Sequence, residues 1–131
     1  MSFRLSLVAA AFGQLACAEG PSTPADVPLG SEFTLAPGET ALVGDDGLLV
    51  TFESVTEDSR CPMDAICVWA GQVVVAVAAG HRVARPFSLK PDETVAVDGY
   101  RLRVVRVEPY PASAGPIPPS AYRVTFVVVR E

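Results

Sequence analysis

From Ser31 onward the chain breaks into short runs in which apolar residues recur at every second position, cut by Pro, Gly and Asp roughly every 8–12 residues. A two-residue period places alternate side chains on opposite faces of an extended strand. No run keeps the 3.6-residue period over the roughly ten or more positions that a helix needs. Phe33 and Leu35 alternate in the first run, and Pro37-Gly38 suits a type II turn. A second run covers Glu39 to Val43, followed by the hairpin-like Asp45-Asp46-Gly47. Leu48, Val50 and Phe52 alternate with Leu49, Thr51 and Glu53, as a strand with one wet face requires. Val73, Val75 and Val77 alternate with Val74, Ala76 and Ala78, which predicts a central strand covered on both faces.

A further strand over Arg82 to Leu89 ends at Lys90-Pro91-Asp92, with proline in its preferred second turn position. Val95 and Val97 lead into Asp98-Gly99, the strongest hairpin signal in the chain. Tyr100, Leu102 and Val104 share a phase that Val105 and Val107 break, which predicts a β-bulge near Val104. The last strand is expected over Tyr122 to Arg130. About eight antiparallel strands at this spacing predict an all-β fold, a two-layer β-sandwich that is immunoglobulin-like or related, with a small β-barrel as the alternative. Phe33, Leu48, Val50, Phe52, Val73, Val75, Val77, Leu102 and Phe126 are the expected core.

With 131 residues there is room for one such domain, and 50% hydrophobic residues suffice to fill it. Nine arginines against one lysine, two isoleucines and no asparagine suggest a GC-rich bacterial genome, and the lack of asparagine leaves no N-glycosylation acceptor. A net charge of −5 argues against nucleic acid, whose phosphates need neutralising cations, and equally against anionic lipid held by a basic patch.

Residues 1–18 read as an export signal. Arg4 supplies the positive start, Leu5 to Phe12 a short apolar stretch, and small residues follow. The stretch is shorter than the roughly 20 apolar residues of a membrane span. Two processing readings compete. Ala16-Cys17-Ala18 fits small-x-small cleavage, releasing a chain that starts at Glu19. Leu15-Ala16-Cys17 instead resembles a lipobox, with Gln14 where an aliphatic residue is usual, and makes Cys17 the lipidated N-terminus. Residues 19–30 (EGPSTPADVPLG) read as a flexible, Pro-rich tether ahead of the domain at 31–131. Three cysteines are an odd number for an exported chain. Once Cys17 is removed or lipidated, Cys61 and Cys67 remain as a pair in an oxidising compartment, the periplasm or cell surface.

The segment Glu57 to Gly71 is the most individual of the chain. A bridge across the C-x5-C spacing contributes about 2–2.5 kcal/mol in the chain-entropy model, and Pro62 stiffens the ring further. Trp69 is expected to lean on the bridge or the core, with Gly71 leaving space beside it. The run Asp58-Ser59-Arg60-Cys61-Pro62, then Cys67-x-Trp69-Ala70-Gly71, resembles a family of small uncharacterised bacterial secreted proteins and lipoproteins. That resemblance implies export, lipidation and the disulfide, and it supplies no reaction.

Three readings of the loop stand side by side. It is a disulfide-pinned crossover between sheets, with Arg60 paired to Asp58 or Asp64 and stacked on Trp69. It is an interface, since Arg, Trp and Met are enriched at binding hot spots, with Arg60, Met63, Trp69 and Tyr110 as its candidate residues. Or its two thiols carry metal or redox chemistry, although the spacing is not C-x2-C and zinc would need two further ligands.

His81, the only histidine, sits in an expected exposed turn, and no serine lies in a nucleophile elbow. Asp45, Asp46, Asp92 and Asp98 occupy turns, where aspartate is expected for backbone reasons. The run from Pro109 to Pro119 reads either as a stiff connection or as a polyproline-like segment presenting Tyr110. The expectation is a non-enzymatic, monomeric envelope domain without cofactor or metal. Its partner is an envelope protein or glycan, and it meets the membrane only through a lipid anchor or an uncleaved leader. The alternative is a small hydrolase or carbohydrate-acting enzyme using surface carboxylates.

Overall fold

The computed structural model describes residues 24–113 and 115–131; the leader, Cys17 and residues 19–23 of the tether lie outside them. Nine strands are present among the described residues: β1 (Ala25–Val27), β2 (Phe33–Leu35), β3 (Thr40–Val43), β4 (Leu48–Asp58), β5 (Val73–Gly80), β6 (Arg85–Leu89), β7 (Thr94–Val97), β8 (Tyr100–Glu108) and β9 (Arg123–Arg130). They form two sheets, β1-β3-β4-β5-β6 and β2-β9-β8-β7. The fold is therefore a two-layer sandwich, not a closed barrel. A single 3-10 turn at Pro119–Ala121 accompanies the strands, and no helix among the described residues is long and apolar enough to cross a membrane.

Alternation sets the layers. Val43, Leu48, Val50, Phe52, Val75 and Val77 of one sheet and Leu102, Val104, Val124, Phe126 and Val128 of the other are buried completely. All nine residues expected in the core are buried. Phe126 stacks on Phe33 at 5.7 Å between ring centres and meets Phe52 of the opposite sheet at 6.5 Å, so one aromatic joins both layers.

The turns follow their chemistry. Asp98 and Gly99 both take positive φ (48° and 86°) between the paired Val97 and Tyr100, the conformation of a type I′ hairpin that Asp-Gly favours. The Glu39 amide closes the Pro37-Gly38 turn on the Ala36 carbonyl at 3.0 Å. The bulge predicted near Val104 is present: Val104 faces Phe126, Arg106 faces Thr125, and Val105 is the extra residue.

Four expectations are corrected. The tether does not extend to residue 30, because Ala25–Val27 pair with Ala41–Val43 and the Gly30 amide donates to the Val128 carbonyl at 2.8 Å. This pairing is parallel, so the sandwich is not wholly antiparallel. The outer face of β5 is half-exposed instead of covered, since among the described residues no third layer lies on Val74, Ala76 and Ala78. The strand expected from Arg82 begins at Arg85, because residues 81–84 make the turn out of β5.

Candidate functional site

The two irregular loops of the sequence meet at one end of the sandwich. Residues 59–72 link β4 to β5, neighbours in one sheet; residues 109–122 link β8 to β9, neighbours in the other. The cysteine loop is therefore an enlarged hairpin loop and not a crossover between sheets. Its base is closed by the Ser59 amide on the Gln72 carbonyl at 2.7 Å and by the Gln72 amide on Ser59 Oγ at 3.0 Å. Gly71, at φ 67°, passes so close to Ser59 that a Cβ there would collide with the Ser59 carbonyl. That approach, and not room for Trp69, is the reason for glycine at this position. Higher in the loop Cys61 and Cys67 are bonded, with Cα atoms 5.9 Å apart, and the Ala65 amide closes a turn on the Pro62 carbonyl at 3.1 Å.

A polar clamp ties this loop to the opposite sheet. Arg60 grips Asp58 with Nε on Oδ1 and Nη2 on Oδ2, both at 2.8 Å. Its other contacts are carbonyls of the β8–β9 side: Nη1 donates to Val107 at 3.0 Å and Nη2 to Pro109 at 2.9 Å. Tyr122 Oη, entering β9, donates to Asp58 Oδ2 at 2.7 Å, and the Met63 amide donates to the Pro111 carbonyl at 3.0 Å. The side chains of Arg60 and Asp58 are only 10% and 11% exposed.

Burial raises the Asp58 carboxyl, but the hydrogen bonds from Arg60 and Tyr122 and the charge of Arg60 outweigh it and hold the group below its ordinary value. The bond to Asp58 holds Arg60 above its ordinary value against its own burial. Burial and then the bond to Asp58 push the Tyr122 phenol up to about 12. A fixed Asp58 anion, paired to a guanidinium and a neutral phenol, is the charge state of the clamp at neutral pH. A cleft of about 350 Å³ opens between the loops over Asp58, Arg60, Pro62, Pro111, Ile117 and Tyr122. Four of the five Arg60 N–H donors are already spent inside the protein.

Beyond the clamp the loop turns apolar side chains to solvent. Met63, Ile66, Val68 and Trp69 are 71%, 103%, 91% and 67% exposed, and Tyr110 of the neighbouring loop is half-exposed. Of the four interface residues expected from the sequence, Met63, Trp69 and Tyr110 are thus surface residues at one end of the molecule. Arg60 is the exception: it is buried in the clamp and unavailable to a partner. It pairs with Asp58 as one expectation had it, but its guanidinium lies over the Tyr110 ring, 5.2 Å from the centre, and not on Trp69. Trp69 does not lean on the core: it stands largely in solvent. Ile66 and Val68 were not singled out in the sequence; two apolar residues flanking Cys67, beyond the last alternating strand position, were the available signal.

The opposite end carries the titratable turn residues. Tyr100 Oη donates to Asp46 Oδ2 at 2.6 Å, and Arg130 approaches Asp46 at 3.8 Å and the Tyr100 ring at 5.7 Å. The bond from Tyr100, helped by Arg130, holds the Asp46 carboxyl below its ordinary value against desolvation. His81 is half-buried instead of exposed: its ring packs 5.6 Å from that of Tyr100, and its amide donates to Asp98 Oδ2 at 3.0 Å. The Asp92 carboxylate makes an exposed contact with Arg103 at 3.3 Å, and its amide donates to the Val104 carbonyl at 2.7 Å. The turn aspartates expected from the sequence therefore serve backbone and neighbours, and Asp46 and Asp98 are held by separate partners. No family model, curated protein or solved structure matches this chain.

Proposed function

We propose that this is an exported envelope domain, tethered through Cys17, that works by binding and presents the cysteine-loop end as its contact surface. One observation carries the reading. Met63, Ile66, Val68 and Trp69 stand in water on a loop that is covalently closed at Cys61–Cys67 and clamped at its base by Arg60. Single exposed apolar residues are ordinary, but a cluster fixed on a rigid support is the pattern of an interaction site. Rigidity also favours binding, because the loop's ordering cost is met on folding and not on association. The leader, the odd cysteine count and the resemblance of the Asp58–Gly71 motif support export and the anchor.

Site-specific photocrosslinking in the producing cells tests the contact surface. A photoreactive side chain at Ile66 or Val68 of the full chain is expected to give adducts, and one at Asp45 or Arg82, at the other end, is not. Adducts of equal yield from both ends would overturn the reading. Intact-mass measurement of the membrane fraction tests the anchor, and a species starting at Glu19 without lipid would remove it.

A further inference from the structure

We infer that the surface bound by the cysteine-loop end is the lipid–water interface of the membrane to which the chain is tethered, entered by Met63, Ile66, Val68, Trp69 and Tyr110. The inference deepens the binding reading above and rests on it. From Pro109 to Tyr122 there is no charged residue, and from Cys61 to Gly71 only Asp64. Arg60, the one cation of the loop, is committed to Asp58 and two carbonyls. Arg123, at the foot of the other loop, holds its Nη1 on the Ser120 and Tyr122 carbonyls, so the surface would enter by apolar and aromatic burial, the mode in which Trp and Tyr settle at headgroup level. Asp64 sets the depth, because its carboxylate has to stay in water.

Ala25 pairs with Ala41, which pairs with Val50, and β1 then runs toward Val43 and Leu48, away from the cysteine loop. The chain therefore enters the domain from the cysteine-loop side. Eight residue steps separate Cys17 from Ala25, and eight separate Val50 from Asp58 at the base of the loop. At about 3.3 Å per extended residue the first reaches up to roughly 26 Å, whereas β4 bulges twice and its eight steps face only six of β5 (Ala79 to Val73), roughly 20 Å. A lipid on Cys17 can therefore lie level with the exposed apolar side chains, adding a second membrane contact to the anchor.

Trp69 is the only tryptophan and reports its own surroundings. The test uses the processed chain isolated from its cells, in phosphatidylcholine vesicles whose acyl chains carry bromine at graded depths. If intact mass shows no lipid on Cys17, the same chain is tethered to the vesicles through its first residue, so the loop is tested whatever becomes of the anchor. The expected result is a blue shift of Trp69 emission with quenching strongest from shallow bromines, equal with and without anionic lipid, and lost in Ile66→Asp. Emission unchanged on tethering would overturn the inference. Quenching that requires anionic lipid would overturn apolar entry. Unquenched Trp69 together with photo-adducts from Ile66 to an envelope protein would replace the lipid surface with a protein one.

Discussion

Each end of the sandwich is built around the same three side chains. At the cysteine-loop end Tyr122 donates to Asp58 at 2.7 Å and Arg60 pairs with that carboxylate at 2.8 Å. At the far end Tyr100 donates to Asp46 at 2.6 Å and Arg130 stands 3.8 Å away. The difference is solvent. Arg60 and Asp58 are 10% and 11% exposed, whereas Arg130 and Asp46 are 68% and 60% exposed. In water an ion pair contributes little and is screened by salt; a buried pair, once formed, cannot lose one partner without stranding the other. The same chemistry is a clamp at one end and surface decoration at the other. The clamped end also displays a group of apolar residues it does not need for its own core, Met63, Ile66, Val68 and Trp69, where the far end exposes Val83 alone in its β5–β6 turn.

The largest test of that contrast is Arg60→Ala. Stranding Asp58 beneath two loops is expected to lower stability by about 3 kcal/mol in urea unfolding. A loss no greater than that of Arg130→Ala would erase the distinction between the ends. Replacing Cys61 and Cys67 together by Ser is expected to lower stability by about 2 kcal/mol while the strands persist in circular dichroism, since the core lies below the ring. Loss of the strand signal would make the bridge a condition of folding.

Tyr122→Phe removes one hydrogen bond to a charged group and is expected to cost about 1.5 kcal/mol. It also carries a pH signature. The phenol titrates near 10.0 when free and is pushed up to about 12 in the fold. Its neutral form is therefore the one the fold favours: the contribution is complete below pH 10 and fades as pH rises toward 12. Asp58 acts at the other extreme. Its carboxyl is held below the ordinary 3.8, so its contribution is present above that value and is lost as pH falls through the folded one. Tyr122→Phe should remove its own share of the alkaline loss and leave that of Tyr100, whose bond to Asp46 also holds its phenol above the ordinary value. The smallest effect belongs to Arg130→Ala, expected within about 0.5 kcal/mol and smaller still at high salt.

The sequence discloses the sandwich well and the clamp poorly, for one physical reason. Strand faces are a local property: Leu48, Val50 and Phe52 announce their buried side by spacing, and the phase slip after Val104 announces its bulge. The clamp is a meeting of distant residues. Arg60 is 47 positions from the Val107 carbonyl and Asp58 is 64 from Tyr122. Nothing near Arg60 in the chain says that Tyr110, and not Trp69, will lie under it. Strand β1 was hidden differently: its three residues sit among prolines, and their partner is the parallel edge of β3.

The most direct measurement is the unfolding free energy of the variant carrying Met63→Ser, Ile66→Ser and Trp69→Ser together, followed by circular dichroism. Side chains displayed for contact leave folding almost untouched, so the expected unfolding free energy lies within about 0.5 kcal/mol of the parent's. A loss of about 3 kcal/mol or more, the scale of emptied core positions, would show that these residues hold the domain together and are not its contact surface.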